Sequence, residues 1–166
     1  MPERTGFADR LAAKLLATPK LMRLPIGAYR CGFGWIFGSR LVMIEHLGRV
    51  SHEPRYVVVE VVERGHNLIR VASGFGTKAQ WYRNLRANGV AFLSTGRARR
   101  VPASVRMLDA DESAERLKVY AAEHPEAWKH LSAAMDHAAG GAADIRLVEF
   151  TPPGSPASQA RTSARS

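Results

Sequence analysis

Six short segments rich in β-branched residues divide residues 41–151, and glycine, proline, asparagine or charged turns separate them. Strands this short, each followed so closely by a turn, are typical of antiparallel barrels or curled sheets. The sequence therefore predicts an α+β fold built on one mostly antiparallel β-barrel of about six strands. The predicted strands are LVMIEHLG (41–48), RYVVVEVVER (55–64), NLIRVAS (67–73), VAFLST (90–95), RRVPASVRML (99–108) and DIRLVEF (144–150).

One helix is predicted between the third and fourth strands, at residues 77–88. Thr77 followed three residues later by Gln80 is the pattern of a capping box, which sets the predicted start at about Thr77. Trp81 and Leu85 fall on one face of this helix, so the pattern favours packing of that face on the sheet.

A pair of helices is predicted over residues 109–139, before the last strand. Either Asp109 or Asp111 can cap the first helix, and Pro125 stands at the first position of the second. Gly140 is the predicted end of the pair, since glycine readily takes the left-handed conformation that stops a helix.

Both ends of the chain lie outside the predicted barrel. Residues 1–40 hold seven Lys or Arg against two acidic residues, a net charge of +5, within an aromatic and helical pattern. We predict an N-terminal helical segment with three open roles: packing on the domain, covering a ligand, or peripheral contact with an anionic membrane. Residues 152–166 lack core-forming side chains and are predicted to be a disordered tail of the single barrel domain at 41–151.

The formal net charge of +9 favours an anionic partner: nucleic acid, a phospholipid surface, or a small ligand with phosphates and carboxylates. Nucleic acid is disfavoured because the sequence has no RNP or helix-turn-helix signature. The single cysteine, Cys31, excludes an internal disulfide and a multi-cysteine metal site, and no metal site is predicted. Since neither a signal peptide nor a run of about 18 apolar residues is present, we expect a cytoplasmic protein, with membrane association as the alternative.

Residues 70–88, RVASGFGTKAQWYRNLRAN, lead from a strand through two glycines into the inserted helix. Such a corner brings backbone N–H groups, the positive end of the helix dipole and the Lys78 ammonium to one place, where a phosphate or another anion can bind. The alternative is a turn that needs glycine for its geometry and a lysine that is only solvated.

A second basic segment, GRVSHEPR at residues 48–55, lies between the first two predicted strands. It offers the guanidinium groups of Arg49 and Arg55 and the hydroxyl of Ser51, which suit phosphate or carboxylate oxygens. The alternative is a hairpin whose charges are solvated.

The succession of GR-x-S…R, ASGFGTKAQWYRNLRAN, a short strand and a GRARR turn resembles the deazaflavin-dependent nitroreductase family, small split β-barrel proteins of actinobacteria. The resemblance covers roughly residues 20–150, and W-Y-x-N-L-x-A-N after a glycine loop is its most specific motif. It implies an FMN-binding-like split barrel that binds the phosphate and acidic tail of coenzyme F(420), with FMN as the alternative cofactor. The residues implied for cofactor binding are Arg49, Ser51, Arg55, Ser73, Gly74, Phe75, Gly76, Lys78, Trp81 and Asn84.

The resemblance implies a deazaflavin-dependent oxidoreductase that transfers a hydride to a small organic acceptor such as a quinone, an enone or a nitroaromatic. Tyr120 is the predicted proton donor to that acceptor. One departure from the family is that His52 and Glu53 follow Ser51, where most members have a glycine after the serine. The alternative function is a barrel that binds a flavin, haem or lipid without turnover, and a monomer or a homodimer is expected.

Overall fold

The computed structural model describes residues 24–31, 33, 38–140 and 144–153. Its six strands are β1 (Leu41–Leu47), β2 (Pro54–Gly65), β3 (Leu68–Ser73), β4 (Val90–Thr95), β5 (Ala98–Met107) and β6 (Arg146–Thr151). They form a closed antiparallel barrel in the order β1-β2-β3-β6-β5-β4. The predicted α+β class and the six-stranded, antiparallel barrel are confirmed.

The barrel interior is filled by the inward-facing residues of each strand. Val42 and Ile44 of β1, Val71 of β3 and Phe150 of β6 are fully buried in one cluster, because side chains of a strand alternate between its two faces. Burying each such side chain contributes about 1.5–3 kcal/mol, so this cluster stabilises the closed barrel.

The helices of the described chain pack around the barrel. They are α1 (Leu24–Arg30), α2 (Gln80–Asn88), α3 (Ala110–Glu123) and α4 (Pro125–Ala139). The α2 helix adds Tyr82 and Leu85 to the barrel core and closes one of its ends. The α1 helix packs on the outer face of β1 and β2 through Tyr29, whose hydroxyl donates a hydrogen bond to the Leu41 carbonyl at 2.9 Å.

The helical pair covers the outer face of β2, β3 and β6. Leu117 and Tyr120 of α3 and Leu131 of α4 form a second apolar cluster with residues of these strands. The Asp109 side chain accepts a hydrogen bond from the Glu112 N–H at 2.8 Å, so Asp109 is the cap of α3. Gly140 ends α4 in the left-handed conformation.

The inserted helix differs from its sequence prediction. It begins at Gln80 rather than at Thr77, its first flanking residue is Ala79, and no side chain caps it. Residues Gly76–Lys78 form a separate 3₁₀ turn. The capping box predicted from Thr77 and Gln80 is therefore wrong, because the extended Ala79 separates the two turns.

The sequence predictions for the two ends fall largely outside the described residues. Residues 1–23 of the predicted N-terminal helical segment and the predicted tail after residue 153 belong to this group. In the part of the chain that is described, no helix is long and apolar enough to cross a bilayer.

Candidate functional site

The basic loop at residues 48–55 is a tight turn after β1. The Gly48 N–H donates to the Glu53 carbonyl, and the His52 N–H donates to the Gly48 carbonyl, both at 2.9 Å. A side chain at Gly48 would collide with the Ser51 hydroxyl and the Arg55 guanidinium, so glycine allows these two groups to converge over the turn. Arg55 also lies within 3.4 Å of the Ser51 oxygen.

Arg49 ties the basic loop to the first turns of α2. Its Nη1 donates to Gln80 Oε1 at 2.9 Å and to Asn84 Oδ1 at 3.0 Å, and its backbone N–H also donates to Asn84 Oδ1 at 3.2 Å. Residues 35 positions apart are thereby brought together. The two segments that the sequence predicts to bind anions thus meet at the N-terminal end of α2.

Two cations at this junction are available to a ligand. Lys78 and Arg55 are exposed, and neither makes a salt bridge within the described residues. Because no side chain caps α2, the first N–H groups of the helix add to this positive end. The arrangement can attract a phosphate or carboxylate, although Glu53 in the same loop contributes a negative charge.

The glycine corner is held by the chain itself. A side chain at Gly76 would collide with the Asp144 carbonyl oxygen, and one at Gly74 would press against Met135 of α4. Gly76 also has a φ of +53°, which favours glycine. Ser73 is 1% exposed and donates its hydroxyl hydrogen to the Gly76 carbonyl at 2.9 Å. These three residues shape the corner from inside, and a direct contact with a cofactor stays a prediction.

The other residues of the corner differ in exposure. Phe75 is 56% exposed, whereas Trp81 is half-buried against the barrel cluster, with its ring centroid 6.2 Å from that of Tyr82 in an edge-on arrangement. Tyr82, rather than Trp81, is the aromatic residue that joins Leu85 in the core. Asn84 is 3% exposed and holds Arg49 in place.

His46, a buried residue in contact with Asn84, is not among the site residues predicted from the sequence. Its Nδ1 lies 3.4 Å from Asn84 Nδ2. The only sequence signal is its position: on β1 it follows Val42 and Ile44 at intervals of two, which places it on the inward face.

Tyr120, the predicted proton donor, belongs to a different part of the molecule. Its hydroxyl donates to Glu60 Oε1 at 3.1 Å, and its ring lies edge-on to that of Trp128. Burial, assisted by the Glu60 carboxylate, raises the pKa of Tyr120 well above its usual value. Glu60 is five residues from Arg55 along β2, roughly 17 Å for an extended strand. The phenol therefore lies apart from the basic loop.

A further pocket, which is not among the sites predicted from the sequence, lies on the outer face of β1, β4 and β5. It has a volume of about 200 Å³ and includes Tyr29, Arg99 and Arg100 in its lining. Glu45, buried in its floor, accepts two short hydrogen bonds from Arg100, at 2.8 and 2.9 Å. Arg100 has a φ of +50°, which is unusual for a side-chain-bearing residue.

Comparison with family models matches more than half of the chain. The family model described as F420H(2)-dependent quinone reductase matches residues 27–136. A comparison with curated proteins finds no match.

Solved structures share the fold. A protein of unknown function from Agrobacterium tumefaciens is 18% identical with a TM-score of 0.53, over 82% of this chain and 57% of that one. A structure described as a domain-swapped dimer is 16% identical with a TM-score of 0.50, over 80% of this chain and 99% of the other. An F420-H2-dependent reductase, FDR-A, is 20% identical with a TM-score of 0.44, over 67% of this chain and 93% of that one. At these identities the likeness of the first two structures concerns the fold alone.

Proposed function

We propose that this chain, which belongs to the F420H(2)-dependent quinone reductase family, binds coenzyme F(420) and catalyses the reduction of a small organic acceptor. The observation that carries the proposal is the family match at residues 27–136, which includes the whole of the basic loop and the glycine corner. A quinone is the first acceptor to consider, and enones and nitroaromatics are the further classes.

The donor set at the junction of the basic loop and α2 fits the anionic part of this cofactor. Arg49 is fixed by Asn84, while Arg55 and Lys78 are exposed cations without salt bridges in the described chain. Three cations exceed what one phosphate group needs, whereas a phosphate followed by carboxylates can use them all. We therefore propose coenzyme F(420) as the preferred cofactor and FMN as the alternative.

The chain's own contribution to the reaction is to bind and orient, because a bound reduced deazaflavin itself supplies the hydride. Arg49, Arg55 and Lys78 hold the anionic groups, and Trp81 limits the access of water at the end of the barrel. Burial raises the pKa of Tyr120, which keeps the phenol protonated at neutral pH but weakens it as an acid, and its hydroxyl donates to Glu60. The role of Tyr120 as proton donor therefore stays a prediction, and it requires an acceptor bound on the Glu60 side of the barrel.

A barrel that binds a flavin, haem or lipid without turnover is the second candidate. Stopped-flow oxidation of reduced F(420) by a panel of quinones, enones and nitroaromatics separates the two functions. We expect protein-dependent oxidation with at least one quinone. If reduced F(420) is oxidised only at the protein-free rate with every acceptor, the chain is a binding protein without turnover.

Cofactor preference requires a separate binding measurement. Fluorescence titration is expected to show tighter binding of F(420) than of FMN, because the longer anionic part reaches more of the cations. Equal or tighter binding of FMN would reverse the proposed order of the cofactors.

A further inference from the structure

His46 is a buried imidazole beneath the basic loop, and no known role accounts for it. It is 4% exposed, and its Nδ1 lies 3.4 Å from the amide nitrogen of Asn84. Asn84 in turn holds Arg49 together with Gln80. A change at His46 can therefore reach the guanidinium of Arg49 through a single intervening side chain.

The hydrogen bonds fix the orientation of the Asn84 amide. Its Oδ1 accepts from two donors of Arg49, the backbone N–H and Nη1. A rotated amide would face these donors with its own NH₂ group, so the oxygen must point to Arg49 and the nitrogen to His46. An amide NH₂ can only donate, which makes His46 Nδ1 the acceptor. His46 is thus neutral, with its proton on Nε2.

The surroundings of His46 favour this neutral form. From β2, Arg55 is its register partner across the strand pair, and from α2 the uncharged Asn84 faces it. Burial comes first in lowering the pKa of His46, Arg55 adds to that effect, and the backbone of Leu47 opposes it. Arg49, which contacts Asn84, supplies a second positive group, and none of these neighbours is acidic.

We propose that His46 is a positioning residue whose neutral ring orders Arg49 through Asn84, and that its protonation frees Arg49 from Asn84 and leaves it held by Gln80 alone. Protonation would turn Nδ1 into a donor facing the Asn84 donor, so their contact would break. The inference rests on the proposed function, in which Arg49 contacts the anionic part of the cofactor.

The predicted change in F(420) affinity on acidification is opposite in direction to the change that an added positive charge alone would cause. An added positive charge near an anion site should strengthen anion binding as the pH falls. Loss of an ordered Arg49 should weaken it, by about tenfold if one charge-assisted hydrogen bond is lost. The two mechanisms can therefore be separated by the direction of the change alone.

The first experiment measures the affinity for F(420) by fluorescence titration between about pH 8 and about pH 4.5, a range extended to the acid side because burial lowers the pKa of His46 below the usual histidine value. We expect the wild-type affinity to fall on acidification and His46→Gln to remain nearly constant, because the Gln oxygen can accept from Asn84 at every pH. Both proteins bind the same ligand, so subtracting one affinity profile from the other removes the contribution of the ligand's own titratable groups. His66→Gln, at an exposed hairpin turn, is the control and should follow the wild type.

A second experiment needs no cofactor. Nitrogen NMR should show His46 Nδ1 without a proton at neutral pH, and the Arg49 N–H signals should exchange faster once His46 is protonated, but not in His46→Gln. Unchanged Arg49 exchange, or an affinity that rises equally in both proteins on acidification, would overturn the inference. If F(420) fails to bind at any pH while the NMR changes occur, the proposed function is wrong and the positioning role of His46 stands.

Discussion

At the residue scale, His52 stands in a backbone conformation that favours glycine. Its φ is +55°, and it occupies the position after Ser51 at which most members of the resembled family have glycine. A side chain in this region costs roughly 1–2 kcal/mol, and the lost chain entropy of a glycine offsets part of that. His52→Gly should therefore raise the free energy of unfolding by about 0.5–1 kcal/mol, measured by urea denaturation.

His66 provides the matched control for this substitution. It is another exposed histidine in a turn, but its φ is not positive. His66→Gly should leave the free energy of unfolding unchanged or lower it. If both glycine variants shift stability alike, the strain at His52 is not the cause.

Two exposed cations test the cofactor site itself. Lys78→Ala and Arg55→Ala should each weaken F(420) binding by roughly 1–3 kcal/mol, the range for charge-assisted hydrogen bonds to a ligand anion. Thermal unfolding should hardly change, since neither residue makes a salt bridge within the described chain. Lys118→Ala, on the exposed face of α3, is the control. Unchanged affinity in both site variants would mean that Lys78 and Arg55 are solvated surface residues that do not contact the cofactor.

At the scale of the elements, Glu149 of β6 holds three strands together. Its carboxylate accepts hydrogen bonds from Arg70 of β3 at 2.6 and 2.9 Å and from Arg106 of β5 at 3.0 Å. Burial acts to raise the pKa of Glu149, but the hydrogen bonds of the two arginines outweigh it and hold the pKa below its usual value. The neutral glutamine of Glu149→Gln would leave both guanidiniums without this charge.

Glu149→Gln should lower the free energy of unfolding by about 2–3 kcal/mol at neutral pH. A carboxylate with a depressed folded pKa stabilises the protein above its unfolded pKa, and that stabilisation is lost as the pH falls through the folded value. The gap between wild type and variant should therefore narrow in acid, below about pH 4.5. Urea denaturation at several pH values measures it, with exposed Glu115→Gln as control. A gap that is independent of pH would contradict the role of the charge.

The strands and the helical pair could be predicted because their signals are local. Short segments rich in β-branched residues and bounded by turns mark all six strands, and Asp109 and Pro125 mark the starts of α3 and α4. The start of α2 could not be predicted in this way. It depends on Gly76, whose left-handed turn and close approach to the Asp144 carbonyl involve residues far apart in sequence.

In the candidate site, too, the features with local sequence signals could be predicted and those that depend on distant residues could not. The basic loop and the glycine corner are visible as short motifs, whereas their junction depends on contacts that no motif records. Arg49 reaches Asn84 over 35 positions, and Asn84 reaches His46 over 38. Only the closed barrel, which sets β1 against α2, brings these side chains into one network.

At the scale of the whole molecule, the net charge of +9 favours an anionic partner, and an anionic membrane is one such partner that can be tested. Residues 1–23 carry five basic and two acidic residues, so their removal lowers the net charge to +6. Each basic residue near an anionic surface contributes about 1 kcal/mol, and salt screens that attraction over about 10 Å at 0.1 M. We propose that these residues carry the membrane contact predicted for the N-terminal segment, whereas the barrel and α1 bind the cofactor.

Vesicle co-sedimentation should then show the full chain bound to anionic vesicles at low salt, released at high salt, and unbound to neutral vesicles. The chain without residues 1–23 should bind F(420) with unchanged affinity and remain in the supernatant. If the shortened chain still binds anionic vesicles, the contact lies on the barrel. The exposed arginines of the β4–β5 turn are then the next basic surface to consider. A full chain that ignores anionic vesicles at low salt would exclude the membrane contact, because electrostatic attraction is strongest under that condition.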